Sequence, residues 1–276
     1  MQRVTKDLPL NCEIVFAGDT HYGSRFTHED GIAYLVDYVA SKENRFMVHM
    51  GDWIEAIMVD DKRFDPKTCT NPIPLEQAAD IVEIFRPIRS KLIVGLCGNH
   101  ERKIHRFGNI VEYICDKDHL NIPYGTQEAR IIFTNDGQPL FNMWVEHRNK
   151  RFTSNAKDWE QRQANKKSAL KLYLSEKMGD CAVQVCGHAH WLAAVPPSKR
   201  LYLVDNPDGV KQNYLQGDMG HGYINPDQRW YGCSGSFYKA YVDGLSNYGS
   251  FPPNELGFLS LIIDGGKIQE LREIVV

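Results

Sequence analysis

No stretch of this sequence approaches the roughly 20 consecutive apolar residues that a helix needs to cross a bilayer. The opening Met-Gln-Arg-Val-Thr-Lys leads into no apolar leader core. A soluble, cytoplasmic protein with no membrane partner is therefore expected. Paired cysteines are missing too. The seven cysteines include no Cys-x-x-Cys, which removes the usual frame of a thiolate zinc site. Cys12, Cys97, Cys181 and Cys186 lie in apolar runs, where cysteine acts as a small hydrophobe, so reduced, buried thiols are expected. Charge of one sign is also lacking. The 32 basic and 35 acidic residues leave a net −3, so any pull toward nucleic acid must be local. No repeat or low-complexity linker divides the 276 residues, and a single domain over 1–276 is expected.

What is present is a run of short apolar segments that alternate with helical patterns. Residues 12–17, 46–50, 91–97, 141–145 and 181–186 read as buried strands. Ile32, Leu35, Val36 and Val39 fall on one helical face, as do Ala78, Ile81, Val82 and Phe85, and then Ile110, Val111 and Ile114. Thr27 with Asp30 resembles a cap for the first of these helices. Residues 158–178 read as a longer helix, and 59–74 and 196–226 as loop-rich stretches. In the last third, 191–195, 201–204, 229–233, 258–263 and 267–275 read as strands, with Asp264-Gly265-Gly266 as a hairpin turn. Strand–helix alternation followed by strands predicts an α/β fold of two packed sheets with helices outside.

Polar motifs stand at five of these strand ends: Gly18-Asp19-Thr20-His21, Gly51-Asp52, Gly98-Asn99-His100-Glu101, Glu146-His147 and Gly187-His188-Ala189-His190. Ligands bind at the carboxyl ends of strands in open α/β sheets, and a preceding glycine lets the chain turn sharply. Asp-x-His is common by chance, so the weight rests on Gly-Asn-His-Glu and Gly-His-x-His. Asp, Asn and His without thiolate suit Mn, Fe, Ni, Co or Zn. Two such ions about 3.5–4 Å apart can bind one phosphate and activate a water.

These blocks, with Glu55 in Gly51-Asp52-x-x-Glu55, resemble the calcineurin-like metallophosphoesterases over residues 18 to 190. The resemblance implies a four-layer αββα sandwich of two mixed sheets flanked by helices. It implies two divalent metal ions, manganese first among them. Asp19, His21 and His190 would hold one ion, Asn99, His147 and His188 the other, and Asp52 would bridge. His100 would touch the phosphate and protonate the leaving oxygen, with Glu101 orienting it. His147 rests on a lone histidine at a strand end rather than on a spaced motif.

Departures from the family bear on the substrate. Serine/threonine phosphatases of this superfamily place arginines after the second block and before Gly-Asn-His-Glu; here Ala56 and Cys97 stand at those places. Guanidinium clamps a phosphate dianion, so their absence favours a phosphodiester. From Arg148 to Lys171 eight basic residues face only Asp158 and Glu160, which reads either as a surface tracking DNA or RNA phosphates or as a solvated helix face. Asn99, Arg102 and His221 are candidate substrate contacts, and Trp191 and Tyr231 candidate base-stacking rings. The expectation is a metal-dependent phosphodiesterase using metal-activated hydroxide, a nuclease within that class. A phosphomonoesterase or nucleotide-pyrophosphate hydrolase is the rival enzyme, and a non-catalytic metal-containing binding module the rival of another class.

Overall fold

Along β2 (Cys12–Ala17) the side chains alternate between two apolar surroundings, as the strand period requires. Ile14 and Phe16 enter a core shared with Val145, Val183 and Val185. Val15 and Ala17 enter another shared with Ile32, Leu35, Ile81 and Phe85. Strand β2 is thus covered on both faces, by a second sheet on one and by helices on the other. The computed structural model describes residues 1–214, 222–249 and 252–276.

In chain order the strands are β1 (Gln2–Asp7), β2, β3 (Arg45–His49), β4 (Leu92–Gly95), β5 (Glu128–Asn135), β6 (Gln138–Glu146), β7 (Val183–Cys186), β8 (Leu192–Val195), β9 (Leu201–Asn206), β10 (Gly209–Tyr214), β11 (Trp230–Ser234), β12 (Gly257–Asp264) and β13 (Lys267–Val275). Among the described residues they form a five-stranded sheet, β13-β12-β2-β3-β4, a six-stranded sheet, β1-β5-β6-β7-β11-β8, and a separate β9–β10 pair. Both are mixed: β2, β3 and β4 run parallel while β12 and β13 run antiparallel. Strand β6 pairs parallel with β7 and antiparallel with β5. Helices α1 (Glu29–Ala40), α2 (Pro74–Phe85) and α4 (Ile110–Cys115) cover the smaller sheet, each through the apolar face expected of it. Helix α5 (Trp159–Ser175) covers the larger sheet through Leu170 and Leu174, which pack on Tyr231 and Cys233. The four-layer sandwich is therefore present, with α3 (Asn99–Lys103) as a short helix at the ligand end.

Several local expectations change. Thr27 does not cap α1; its hydroxyl donates to the His21 carbonyl at 2.6 Å, and His28 occupies the cap position. The 91–97 strand shortens to β4 because Lys91 closes a 3₁₀ turn. Residues 196–226, read as loop-rich, contain the β9–β10 hairpin. Strand β1 went unread because only Val4 of its six residues is buried. The turn at Gly265 and Gly266 is as expected, with φ of 56° and 74°, the left-handed pair a two-residue hairpin needs. All seven cysteines are free thiols, six of them buried. Among the described residues no helix is long and apolar enough to cross a membrane.

Candidate functional site

The loops after β2 and β3 continue side by side beyond the sheet. Asp19 N–H donates to Gly51 O at 2.8 Å, His21 N–H to Asp52 O at 3.1 Å, and Tyr22 N–H to Trp53 O at 3.2 Å. That places Asp19, His21 and Asp52 together. The larger sheet does the same at β6 and β7, where Gly187 N–H donates to Glu146 O at 2.9 Å. The two ends then meet: His188 N–H lies 3.2 and 3.1 Å from the two Asp19 carboxylate oxygens.

Asp19, His21, Asp52, His188 and His190 all have φ between 46° and 76°. Asp and His tolerate this region better than most residues, but each such conformation costs roughly 1–3 kcal/mol unless its surroundings impose it. Five of them at one spot mark a strained, over-determined site. At Gly98 a Cβ would run into the Asp52 Oδ1 and backbone nitrogen. Only glycine lets the fourth strand end come this close.

Among the described residues three overlapping groups could each hold a cation: Asp19, His21 and His190; Asp52, His147 and His188; and His21, Asp52 and His100. Within the first, His190 Nε2 lies 3.3 Å from Asp19 Oδ1 and 3.1 Å from His21 Nε2. Within the second, His147 Nε2 lies 3.2 Å from Asp52 Oδ2 and 3.3 Å from Asn99 Oδ1. Asp52 Oδ2 is also 3.6 Å from His21 Nε2, so one carboxylate oxygen faces both groups. It is buried and has no well-formed hydrogen bond. An orphaned anionic oxygen between imidazoles fits a pair of divalent cations.

The imidazoles are oriented from behind. His147 Nδ1–H donates to Met50 O at 2.6 Å, and His21 Nδ1–H to Glu55 Oε2 at 2.7 Å. Both bonds hold Nδ1 outward and turn each Nε2 into the site, where a bound cation would displace any proton it carries. Burial disfavours charge on His147, but the Asp52 and Asp19 carboxylates outweigh it and push its pKa up to about 10. Burial pushes His21 down to about 4, with the Asp52 charge only partly opposing it. The site thus favours added positive charge near Asp52.

His100 sits against this cluster, its ring edge-on to His21 with centroids 4.6 Å apart. Its backbone N–H donates to Asp52 Oδ1 at 2.9 Å and its Nδ1–H to the Glu55 carbonyl at 2.5 Å. Glu101 does not touch the ring. Its carboxylate accepts from the backbone N–H groups of Gly98 at 2.8 Å and Ile54 at 3.1 Å, tying the third loop to the second. The group beside the His100 ring is Glu55, whose Oε2 is 3.5 Å from Nδ1. Burial pushes the Glu55 carboxyl up to about 7.

A cleft of about 1340 Å³ opens over this cluster. Asn99 and His100 line it, but Arg102 does not; that guanidinium turns away to Gln127 Oε1. His221 lies outside the described residues. Tyr231 is core, fully buried with its hydroxyl donating to Pro226 O at 2.9 Å, whereas Trp191 lines the cleft. The basic stretch is partly neutralised: Arg148 pairs with Glu128, Lys171 with Asp227 at 2.6 Å, and Lys167 with Glu273 at 3.7 Å. Arg151, Lys166 and Lys167 still line the cleft. Arg63 and Lys103 line it as well. No local pattern marks Arg63, which arrives on the long 59–74 loop and is gripped by Asp61 at 3.0 and 2.6 Å.

The calcineurin-like phosphoesterase family model matches residues 13–210, most of the chain and every strand-end motif. The chain belongs to this family. No curated protein matches it. Among solved structures it is similar to a conserved Streptococcus pneumoniae protein described as a predicted phosphoesterase, at 11% identity over 92% of this chain and 84% of that one (TM-score 0.36). It is similar to the NAD nucleotidase of Haemophilus influenzae at 14% identity over 96% and 50% (TM-score 0.42). A third is the nuclease MPE of Pseudomonas putida, at 12% identity over 92% and 85% (TM-score 0.34).

Proposed function

We propose that the chain, as one domain over 1–276, is a hydrolase of phosphodiester bonds that works with two divalent metal ions, manganese first among the candidates. The observation that carries this reading is the Asp52 carboxylate, buried without a good hydrogen bond and facing both His/Asp groups. Asp19, His21 and His190 would hold one ion and Asn99, His147 and His188 the other, with Asp52 between. Such ions supply Lewis acidity and an activated water.

The chain's own residues do the rest. Glu55 and Met50 O hold the His21 and His147 rings with Nε2 inward. His100, held at Nδ1 by the Glu55 carbonyl, turns its other nitrogen toward the cleft, where it can carry a proton to the leaving oxygen. Glu101 supports the loop that presents it. Diester is favoured over monoester because Arg63, which lines the cleft with His100, is already engaged bidentately by Asp61. Buried free thiols fit a reducing compartment such as the cytoplasm.

The test is metal-stripped protein reloaded with Mn, Fe, Ni, Co or Zn and assayed on bis(p-nitrophenyl) phosphate and p-nitrophenyl phosphate. Metal-dependent turnover that is faster on the diester is expected. Faster turnover of the monoester would move the assignment to a phosphomonoesterase. Metal uptake without turnover of any phosphoester would leave a binding module.

A further inference from the structure

Helix α5 has no conventional amphipathic pattern, yet one of its faces is continuous. Trp159, Gln163, Lys166, Lys167, Leu170 and Leu174 follow the i, i+4, i+7 spacing that aligns side chains on one side. At the C-terminal end that side is buried against the larger sheet through Leu170 and Leu174. At the N-terminal end the sheet runs out, and the same side lines the cleft through Trp159, Gln163, Lys166 and Lys167. Trp159 is left 67% exposed there.

A second ring stands deeper. Trp191 directly follows His190, so it joins the cleft wall at the metal end. Lys166 Nζ lies 4.1 Å from the Trp191 ring centroid, and Phe152 packs 6.0 Å away on the same ring. A phosphate entering the cleft can draw the Lys166 ammonium off the indole and free its face. Lys167 is held only by a half-exposed pair with Glu273 at 3.7 Å, which a phosphate can also replace. The cleft, at about 1340 Å³, exceeds the roughly 300–1,000 Å³ of ordinary small-ligand pockets.

We propose that this wall binds single-stranded nucleic acid, with unpaired bases stacking on Trp191 and Trp159 while Lys166 and Lys167 meet the intervening phosphates. Alternating π-faces and ammonium groups match the alternation of base and phosphate along a single strand. In a duplex the base faces are buried in the stack and cannot reach either ring. The proposal rests on the phosphodiesterase reading for turnover, but binding can be measured without it.

The experiment titrates metal-free full-length protein with a fluorescein-labelled oligothymidylate, with an abasic deoxyribose-phosphate strand of equal length and with a duplex, following anisotropy and tryptophan fluorescence. The oligothymidylate should quench tryptophan emission and bind at least fivefold more tightly than either control. Trp159→Ala and Trp191→Ala should each weaken its binding by about 5- to 100-fold, and Trp159→Phe should retain most of it. Trp159 is exposed, so its truncation leaves the fold intact. Equal binding of abasic and base-bearing strands, tighter binding of duplex, or unchanged affinity in both alanine variants would each overturn the proposal. Turnover of bis(p-nitrophenyl) phosphate alongside a failed binding test would leave the phosphodiesterase reading standing and remove this one.

Discussion

Asp52 and His100 are adjacent in the site but are asked to do different things, and single substitutions should separate them. Asp52 Oδ2 lies 3.2 Å from His147 and 3.6 Å from His21, one nitrogen in each proposed metal group. Asp52→Asn removes the charge shared by both. The expected outcome is joint loss of both metal equivalents by plasma emission spectrometry; retention of one at full occupancy would argue against bridging. His100 is hydrogen-bonded to Asp52 through its backbone N–H, and its ring is held at Nδ1 by the Glu55 carbonyl. His100→Ala should therefore keep its metal while losing about 10²- to 10⁴-fold in turnover, the usual worth of a general acid. Unchanged turnover on bis(p-nitrophenyl) phosphate would remove His100 from the chemistry. At this scale Gly-Asn-His-Glu and Gly-His-x-His were legible because their residue types and spacing are specific. Glu55 was quoted only as part of a motif. Its position between His21 and His100 depends on the parallel run of two loops distant in the chain, which no local pattern encodes.

Among the elements, α5 is the one whose reading changed most. It is shorter than the 158–178 expected, ending at Ser175, and Asp158 caps it by accepting from Gln161 N–H at 2.7 Å. Its basic character looked like either a phosphate-tracking surface or a solvated face. The structure divides the basic stretch: Arg148 and Lys171 are paired with Glu128 and Asp227 and do not line the cleft, while Lys166 and Lys167 do. The helix is anchored by few apolar contacts, so each counts. Leu174→Ala should destabilise the protein by about 2–5 kcal/mol in urea unfolding, as for other buried leucines. Leu172→Ala, 64% exposed on the opposite side, should stay within about 0.5 kcal/mol. Equal effects would mean that α5 packs with a different face. The β9–β10 hairpin was half read, because the Leu201–Asn206 strand is apolar enough to notice while Gly209–Tyr214 is exposed throughout.

At the scale of the whole molecule, the proposed metal ligands come from both sheets. Asp19, Asp52 and Asn99 follow β2, β3 and β4, while His147, His188 and His190 follow β6 and β7. Ions bound between them would tie the two sheets together at the end where the shared core stops. Metal loading should therefore raise the melting temperature, with about 2.7 kcal/mol of added stability when free metal is one hundred times Kd. Chelator should reverse the gain, and Asp52→Asn should show little of it in calorimetry. Equal melting with and without bound metal would contradict a site that spans both sheets.

The sequence by itself determined which side chains are available, where the strands end and which helix faces are apolar, because these depend on residue type and on the short periods of helix and strand. It determined the family for the same reason, since the five motifs stand in order along the chain. Only the tertiary structure decided that Glu55 rather than Glu101 stands beside His100, that Arg102 turns away while Arg63 and Lys103 reach the cleft, and that Tyr231 is core while Trp159 is exposed beside the site. Those outcomes depend on how two sheets and the loops between them approach one another, and the contacts that set that approach join residues far apart in the chain.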